Sequence, residues 1–266
     1  SVTDILDVNA ISRQILRNAA NAIAGMALRR VGAQPAELPA IAITQLGMTT
    51  PCVMRIKSIL EGQGYQLIPF HSNGTGGPSM EDLIEEGKFV GMIDLSVHEI
   101  TDGIFGGLAG SKNRLSSLTR YKIPAVVSVG GVEYLLSGGE SNIPEKWRGR
   151  HYVVHNAQMC TVMPTVDEVI AATRALIEPV NRAIGPTIVA VPTGGFIDPN
   201  QPGREFYFPE GTQAVIDELK KGVQPHVPLV LIDVHINNPV FADAVADMMA
   251  RLIAGESPAS VAARYK

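Results

Sequence analysis

The chain has no run of about 18 apolar residues, so no segment is long and apolar enough to cross a bilayer as a helix. It has only two cysteines, Cys52 and Cys160. They give neither a disulfide framework nor a zinc-knuckle spacing, and their scarcity suits a reducing, cytoplasmic compartment. No basic block occurs, and 22 basic residues against 26 acidic ones leave a net charge of −4. General nucleic-acid binding through a charged face is therefore disfavoured. The opening SVTDILDVNA lacks a basic stretch followed by an apolar one, so it does not read as a signal peptide. It also lacks an initiator Met, which suggests a processed product or a part of a longer protein. Neither G-x-x-x-x-G-K-[ST] nor G-x-G-x-x-G is present, and no G-x-S-x-G elbow appears. Internal repeats and low-complexity linkers are missing as well.

What remains is a chain that is 45% hydrophobic and 18% charged, long enough to bury a full core. An alanine-rich segment, 5–30, carries Ile11, Ile15, Ala19, Ala22, Ile23 and Met26 at helical spacing. Gly32, Pro35 and Pro39 end it. Apolar runs follow at 40–46, 66–70, 90–95, 125–129, 152–154, 187–191 and 229–234, most of them separated by helix-like segments. Several of these runs are apolar throughout, as expected for strands covered on both faces. The alternation predicts an open, mainly parallel α/β sheet with helices on both faces, a Rossmann-like three-layer fold. Residues 1–38 then form an N-terminal helix and linker, packing on the domain or on a partner. Residues 39–266 form a single α/β domain.

Such sheets bind ligands beyond the carboxyl ends of their strands. The residues expected there are small and polar: Gly47, Thr49 and Thr50, then His71–Gly77, Ser96–Asp102, Gly130 and Gly131, His155 and Asn156, Thr193–Gly195, and His235–Asn238. The most informative of these segments is YQLIPFHSNGTGG, an apolar strand running into a glycine-dense loop and a helix start near Pro78. Gly74, Gly76 and Gly77 free the backbone to turn N–H groups toward an anion. Thr75 adds a hydroxyl, and the helix dipole points the same way. The alternative is a glycine-rich turn without a ligand. Ser72, Asn73 and His71 belong to the same candidate site. Arg114, after a glycine-bearing turn, is expected to add a full charge and bidentate hydrogen bonds to a bound anion, unless it is simply solvated.

Other candidates carry two readings each. His98 and Asp102, in HEITD, could share a metal from one helix face, or could mark an acid-rich helix start. Cys52 follows Thr50 and Pro51 at a helix start, where a thiol can be activated with His71 or His98 as base. It could equally be a small buried residue. Trp147, in KWRGR, is a base-stacking candidate or an edge contact. His235 could orient a ligand or merely cap the last helix.

Together these residues resemble the two-part α/β family of the tomato mosaic virus resistance protein. The matching pieces are Ser1-Val-Thr-Asp4, Asn18-Ala-Ala, Ala24-Gly-Met26, Gly47-Met-Thr-Thr-Pro-Cys52 and Gly74-Thr-Gly-Gly77. They continue through Met80-Glu81, Ala109-Gly110, Arg114-Leu115, His155-Asn156, Gly185-Pro186 and Ile236-Asn237. The resemblance is to the family's carboxyl-terminal half, with the amino-terminal α/β half absent. It implies association with ATP or another phosphorylated ligand, with Mg²⁺ as a companion, in a protein that forms homo-oligomers or pairs with the missing half. It gives no reaction. The leading expectation is a nucleotide-binding half-module. An alternative is an enzyme with acid–base or hydrolytic chemistry on a small acid or phosphate ester, using His71, Glu99, His235 or Cys52. A third is a protein–protein interaction module.

Overall fold

A computed structural model describes residues 8–28 and 38–265. The chain divides into two compact units, 1–37 and 38–266. The first contains α1 (Ala10–Leu28), whose start is capped by the Asn9 side chain accepting from the N–H groups of Ile11 and Ser12. Its apolar residues Ile11, Ile15, Ile23 and Met26 are exposed. The outer parts of the expected helical segment, 5–7 and 29–30, lie outside the described residues.

The second unit is a doubly wound α/β domain. Its elements run β1 (Ala40–Gln45), α2 (Thr50–Gly62), β2 (Gln66–His71), α3 (Gly76–Glu85), β3 (Gly91–Ser96), α4 (His98–Phe105), α5 (Ser116–Arg120) and β4 (Ala125–Gly130). An insertion carries β5 (Leu135–Gly138), β6 (Tyr152–Asn156) and β7 (Met159–Val162). The main pattern resumes with α6 (Val166–Asn181), β8 (Thr187–Pro192), α7 (Pro209–Gly222), β9 (Leu229–Ile232), α8 (Pro239–Ile253) and α9 (Pro258–Ala262). Six strands form one parallel sheet in the order β2-β1-β3-β4-β8-β9. The three-layer α/β expectation holds.

The apolar runs explain the layering. Strands β3, β4 and β8 are buried at every position, and their side chains alternate between two cores. One core joins Met92, Val127 and Val189 to α3, α5, α6 and α7; the other joins Ile93, Val126 and Ile188 to α2, α8 and α9. The single step from β1 to β2 runs one way across the sheet and places α2 on one face. The later steps run the other way and place their helices on the opposite face, so every crossover has the same hand. The order reverses between β1 and β3, which makes the carboxyl ends of those two strands the crevice of the fold. Pro69 is tolerated in β2 because β2 lies at the sheet edge.

Local signals set the helix starts. Thr165 and Glu168 form a reciprocal capping box at α6. Asn238 caps α8, with Pro239 at its first position. Thr50 opens α2 rather than capping it, because a short 3-10 turn at Gly47–Thr49 precedes the helix.

The run at 152–154 departs from the expectation. It belongs to a separate antiparallel sheet, β5-β7-β6, rather than to the main one. Trp147 is likewise core rather than a stacking platform: it is 1% exposed and packs with Leu135, Ile143, Cys160 and Val162 under the small sheet.

Candidate functional site

A cavity of about 640 Å³ opens at the carboxyl edge of the main sheet, at the reversal point between β1 and β3. One wall comes from the strand ends. Leu46, Gly47 and Met48 follow β1, His71, Ser72 and Asn73 lie at the end of β2, and His98 follows β3. The other wall comes from the insertion, through Tyr134, Leu136, His155, Met159 and Thr161. Pro51 and Asp198 complete the lining.

Strand periodicity builds that second wall. Along β7, Met159 and Thr161 face the cavity, while Cys160 and Val162 enter the small core with Leu135 and Trp147. Leu136 pairs with Thr161 in the register and joins the same face. The insertion is therefore a two-faced cover, with one side for its own core and one for the cavity.

Hydroxyls tie the strand ends together beneath the cavity. Thr44 Oγ1 donates to Asp94 Oδ1 at 2.7 Å and accepts from Ser96 N at 2.9 Å. Ser72 Oγ donates to Ser96 O at 2.7 Å, and Thr49 Oγ1 lies 3.1 Å from Ser96 Oγ. The irregular register of β3 on β4 between Asp94 and Ser96 sits at this point. Thr50 Oγ1 turns back to Leu46 O. The hydroxyls of Thr49 and Thr50 thus hold the turn after β1, and neither residue lines the cavity.

The glycine loop does present its amides to an anion, but the anion is the protein's own Glu99. Glu99 Oε1 accepts from Gly74 N at 2.7 Å and from Gly77 N at 3.3 Å. Asn73 Oδ1 accepts from the N–H groups of Thr75 and Gly76 and from Thr75 Oγ1. Arg114 closes the arrangement from behind. Its Nε lies 2.7 Å from Glu99 Oε2, one terminal nitrogen 2.6 Å from Asp94 Oδ1, and the other 3.5 Å from Glu81 Oε1. All four charged side chains are buried. Burial holds the carboxyls of Glu81 and Glu99 above the usual glutamate range, even though Arg114 pulls the other way. Gly77 is required for this approach, since a Cβ there would lie 1.9 Å from Glu99 Oε2. The Gly74–Gly77 loop and Arg114 therefore support the cavity from outside its lining.

His98 is the floor of the cavity. Its Nδ1 is 3.2 Å from the Gly131 carbonyl, and its Nε2 is 3.1 Å from Asp102 Oδ2. Asp102 is itself fixed by the N–H groups of Ala109 and Leu136. The His98 ring stacks on Tyr134, with centroids 3.8 Å apart and planes 10° from parallel. Gly131 has φ +74°, and a Cβ there would lie 3.0 Å from both His98 and Tyr134. Gly130 packs more closely still, since a Cβ there would lie 2.5 Å from the Leu95 carbonyl oxygen. His98 and Asp102 do meet, but the described residues contain no group of three or more His, Cys, Asp or Glu placed to hold a metal ion.

The catalytic candidates separate. His71 lines the cavity and is exposed, as is His155. Cys52 is buried under α2, and burial pushes its thiol up to about 12, so it is un-ionised at neutral pH. Glu99 is held as described. His235 donates from Nε2 to the Ile197 carbonyl and accepts at Nδ1 from Asn237 N. Burial lowers its pKa, consistent with that neutral tautomer. It steadies the loop that carries Asp198 and does not line the cavity. Tyr134, Leu136, Met159 and Thr161 were not anticipated. Tyr134 and Leu136 lie just before and within β5, and Met159 and Thr161 within β7; strands of four residues are too short for their alternation of faces to stand out in the sequence.

This arrangement defines the class: a doubly wound α/β domain whose reversal-point crevice is covered by an antiparallel insertion. A profile described as the uncharacterised protein family (UPF0261) C-terminal domain matches residues 38–253, and the chain belongs to that family. It is 34% identical over 249 residues to a UPF0261 protein of Mesorhizobium japonicum, covering 92% of this chain and 62% of that protein. A UPF0261 protein of Clostridium tetani is 34% identical over 255 residues, with 95% and 63% covered. The ToMV resistance protein Tm-1(GCR237) of Solanum lycopersicum is 32% identical over 255 residues, with 93% and 34% covered. The chain thus spans under two thirds of these bacterial relatives and about a third of the tomato protein. A short chain dehydrogenase from Mycobacterium smegmatis superposes with a TM-score of 0.32 at 13% identity, covering 86% of this chain and 92% of that one, too loosely to bear on function.

Two outcomes test the supporting structure. Arg114→Ala should lower stability by about 3–5 kcal/mol, because it leaves buried carboxylates unpaired. Arg114→Lys should recover only part of that loss, since Lys lacks the planar fork. Denaturant titration of the three proteins checks this, and equal midpoints would refute it. The second concerns Glu133, buried beside Tyr134, whose Oε1 accepts from Phe196 N and Asn200 Nδ2. Burial raises its pKa to about 8, while the unfolded chain keeps the ordinary value near 4.5. A raised carboxyl pKa gives stability that is complete at low pH and is lost as pH climbs toward 8. The slope approaches about 1.4 kcal/mol per pH unit. Glu133→Gln should flatten that decline and raise Tm at pH 8, as thermal melts from pH 5 to 9 would show.

Proposed function

We propose that this domain binds a nucleotide, ATP in the first instance, in the covered cavity at the carboxyl edge. The observation that supports this reading is the division of the cavity. Leu46, Met48, Leu136, Met159 and the His98–Tyr134 stack give it an apolar, aromatic interior, while His71, Asn73 and His155 give it a polar rim. About 640 Å³ is ample for a nucleoside. Among the described residues no Lys or Arg lines the cavity, so the phosphates would stay at the rim, against the imidazoles of His71 and His155 and the amide N–H₂ of Asn73. Asp198 is the one carboxylate of the lining and suits a Mg²⁺ carried in with the phosphates. Calorimetric titration with ATP, with and without Mg²⁺, should show saturable binding. His71→Ala combined with His155→Ala should weaken ATP about tenfold, the scale of a lost charge-assisted hydrogen bond. It should leave adenosine nearly unchanged. Absence of binding to the unmodified chain at millimolar ATP would end the assignment.

We also propose that the domain pairs with the remaining part of the family's chain, through the exposed apolar residues of α1. Ile11, Ile15, Ile23 and Met26 are each at least 47% exposed, and the matching C-terminal profile covers only 38–253. Self-association of this chain is the competing occupant. Sedimentation of the chain alone and mixed with the rest of a relative's chain separates them. Pairing predicts a monomer alone and a complex in the mixture, with an interface above about 1,000 Å².

A further inference from the structure

Two nearly buried residues of the cavity wall carry hydroxyls with no partner among the described residues. Tyr134 is 2% exposed and Thr161 6% exposed, both line the cavity, and neither hydroxyl makes a hydrogen bond to any described residue. Both hydroxyl oxygens remain accessible, on residues that line the cavity. A hydroxyl that faces a cavity without a protein partner takes its hydrogen bond from water or from a ligand there.

The surroundings fix how Tyr134 is presented. Its ring is clamped on His98, whose Nδ1 bonds to the Gly131 carbonyl and whose Nε2 lies 3.1 Å from Asp102 Oδ2. Asp102 in turn takes the Leu136 N–H, which belongs to the same cavity wall. A hydroxyl on a ring so restrained is pre-organised, and a ligand would meet it without further loss of side-chain freedom. Burial and the nearby carboxylates of Asp102, Glu133 and Glu99 keep the phenol protonated, so it enters the cavity as a donor. Thr161 stands on β7, opposite Leu136 in the register, as the second hydroxyl of the wall.

We infer that Tyr134 and Thr161 recognise a ligand edge bearing hydrogen-bond acceptors, such as the carbonyl or ring nitrogen of a planar heterocycle. Under the nucleotide reading, on which this inference rests, the base enters first and the phosphates remain at the rim. Discrimination then comes from the inner end. A hydroxyl wall accepts an edge that can bond to it and disfavours an apolar edge of the same shape, because that edge would leave both hydroxyls unpaired.

Titrations of the unmodified chain, Tyr134→Phe and Thr161→Val with four probes test this: ATP, adenosine, inorganic tripolyphosphate and nicotinamide. Both substitutions keep side-chain shape, and thermal melts report whether each variant folds. Circular dichroism at the aromatic bands checks that the ring stack survives in Tyr134→Phe. The expected result is that ATP binds about tenfold more tightly than adenosine, the share of the rim imidazoles, and that tripolyphosphate binds far more weakly than either. Each substitution should weaken ATP and adenosine about tenfold at an unchanged Tm, as for a lost hydrogen bond to a buried group. Equal affinity of the variants and the unmodified chain for ATP would overturn the inference while leaving the nucleotide reading in place. Tripolyphosphate binding as tightly as ATP would do the same. Binding of nicotinamide but neither nucleotide, with a tenfold loss in Tyr134→Phe, would remove the nucleotide reading and keep the inference. Binding of none of the four probes would overturn both.

Discussion

The contact between Glu99 and Arg114 is the constraint on which the carboxyl edge depends. A glycine-rich loop at a helix start has inward N–H groups that must be satisfied, because they are drawn from water into a packed turn. Here a carboxylate from α4 satisfies them, and that carboxylate would be prohibitively costly without a cation behind it. Arg114 supplies the cation and also reaches Asp94 in β3 and Glu81 in α3. One side chain thereby couples the loop after β2, the middle of β3 and two helices. Such a cluster contributes little net stability compared with an apolar core of the same volume, but it tolerates very few alternative arrangements. It sets the positions of Ser72 and Asn73, which the cavity then uses.

A second chain of dependence runs from Asp102 through His98 to Tyr134. It joins the start of α4 to the insertion, so the main sheet and its cover are held in one geometry. The two chains meet at α4, where Glu99 and Asp102 lie three residues apart and face opposite tasks. One carboxylate closes the loop and the other aligns the floor.

Much of the architecture was legible in the sequence. Uniform apolar runs gave the parallel sheet, and the polar strand ends located the crevice, because burial on both faces and the reversal rule are consequences of composition and order. The side chains that finish the cavity were harder to read. Gly74–Gly77 suggests an anion cradle for a ligand, and nothing local reveals that Glu99, 22 residues beyond Gly77, takes its amides. Arg114 looked available for a ligand for the same reason: its three partners come from separate elements. The strand at 152–154 was assigned to the wrong sheet, since short apolar runs carry no record of their pairing partners. The double role of the insertion was invisible until its register was known.

That register carries an implication for how this family can vary. In the small sheet adjacent positions belong to different compartments: Cys160 and Val162 to the core, Met159 and Thr161 to the cavity. Substitution at the odd positions, 159 and 161, can remodel the binding wall while the packing beneath it is untouched. A single inserted or deleted residue in the turn at 157–158 would exchange the two sets, placing a threonine hydroxyl against Trp147 and a cysteine toward the cavity. Point changes therefore alter the cavity wall alone, while length changes in that turn disturb wall and core together.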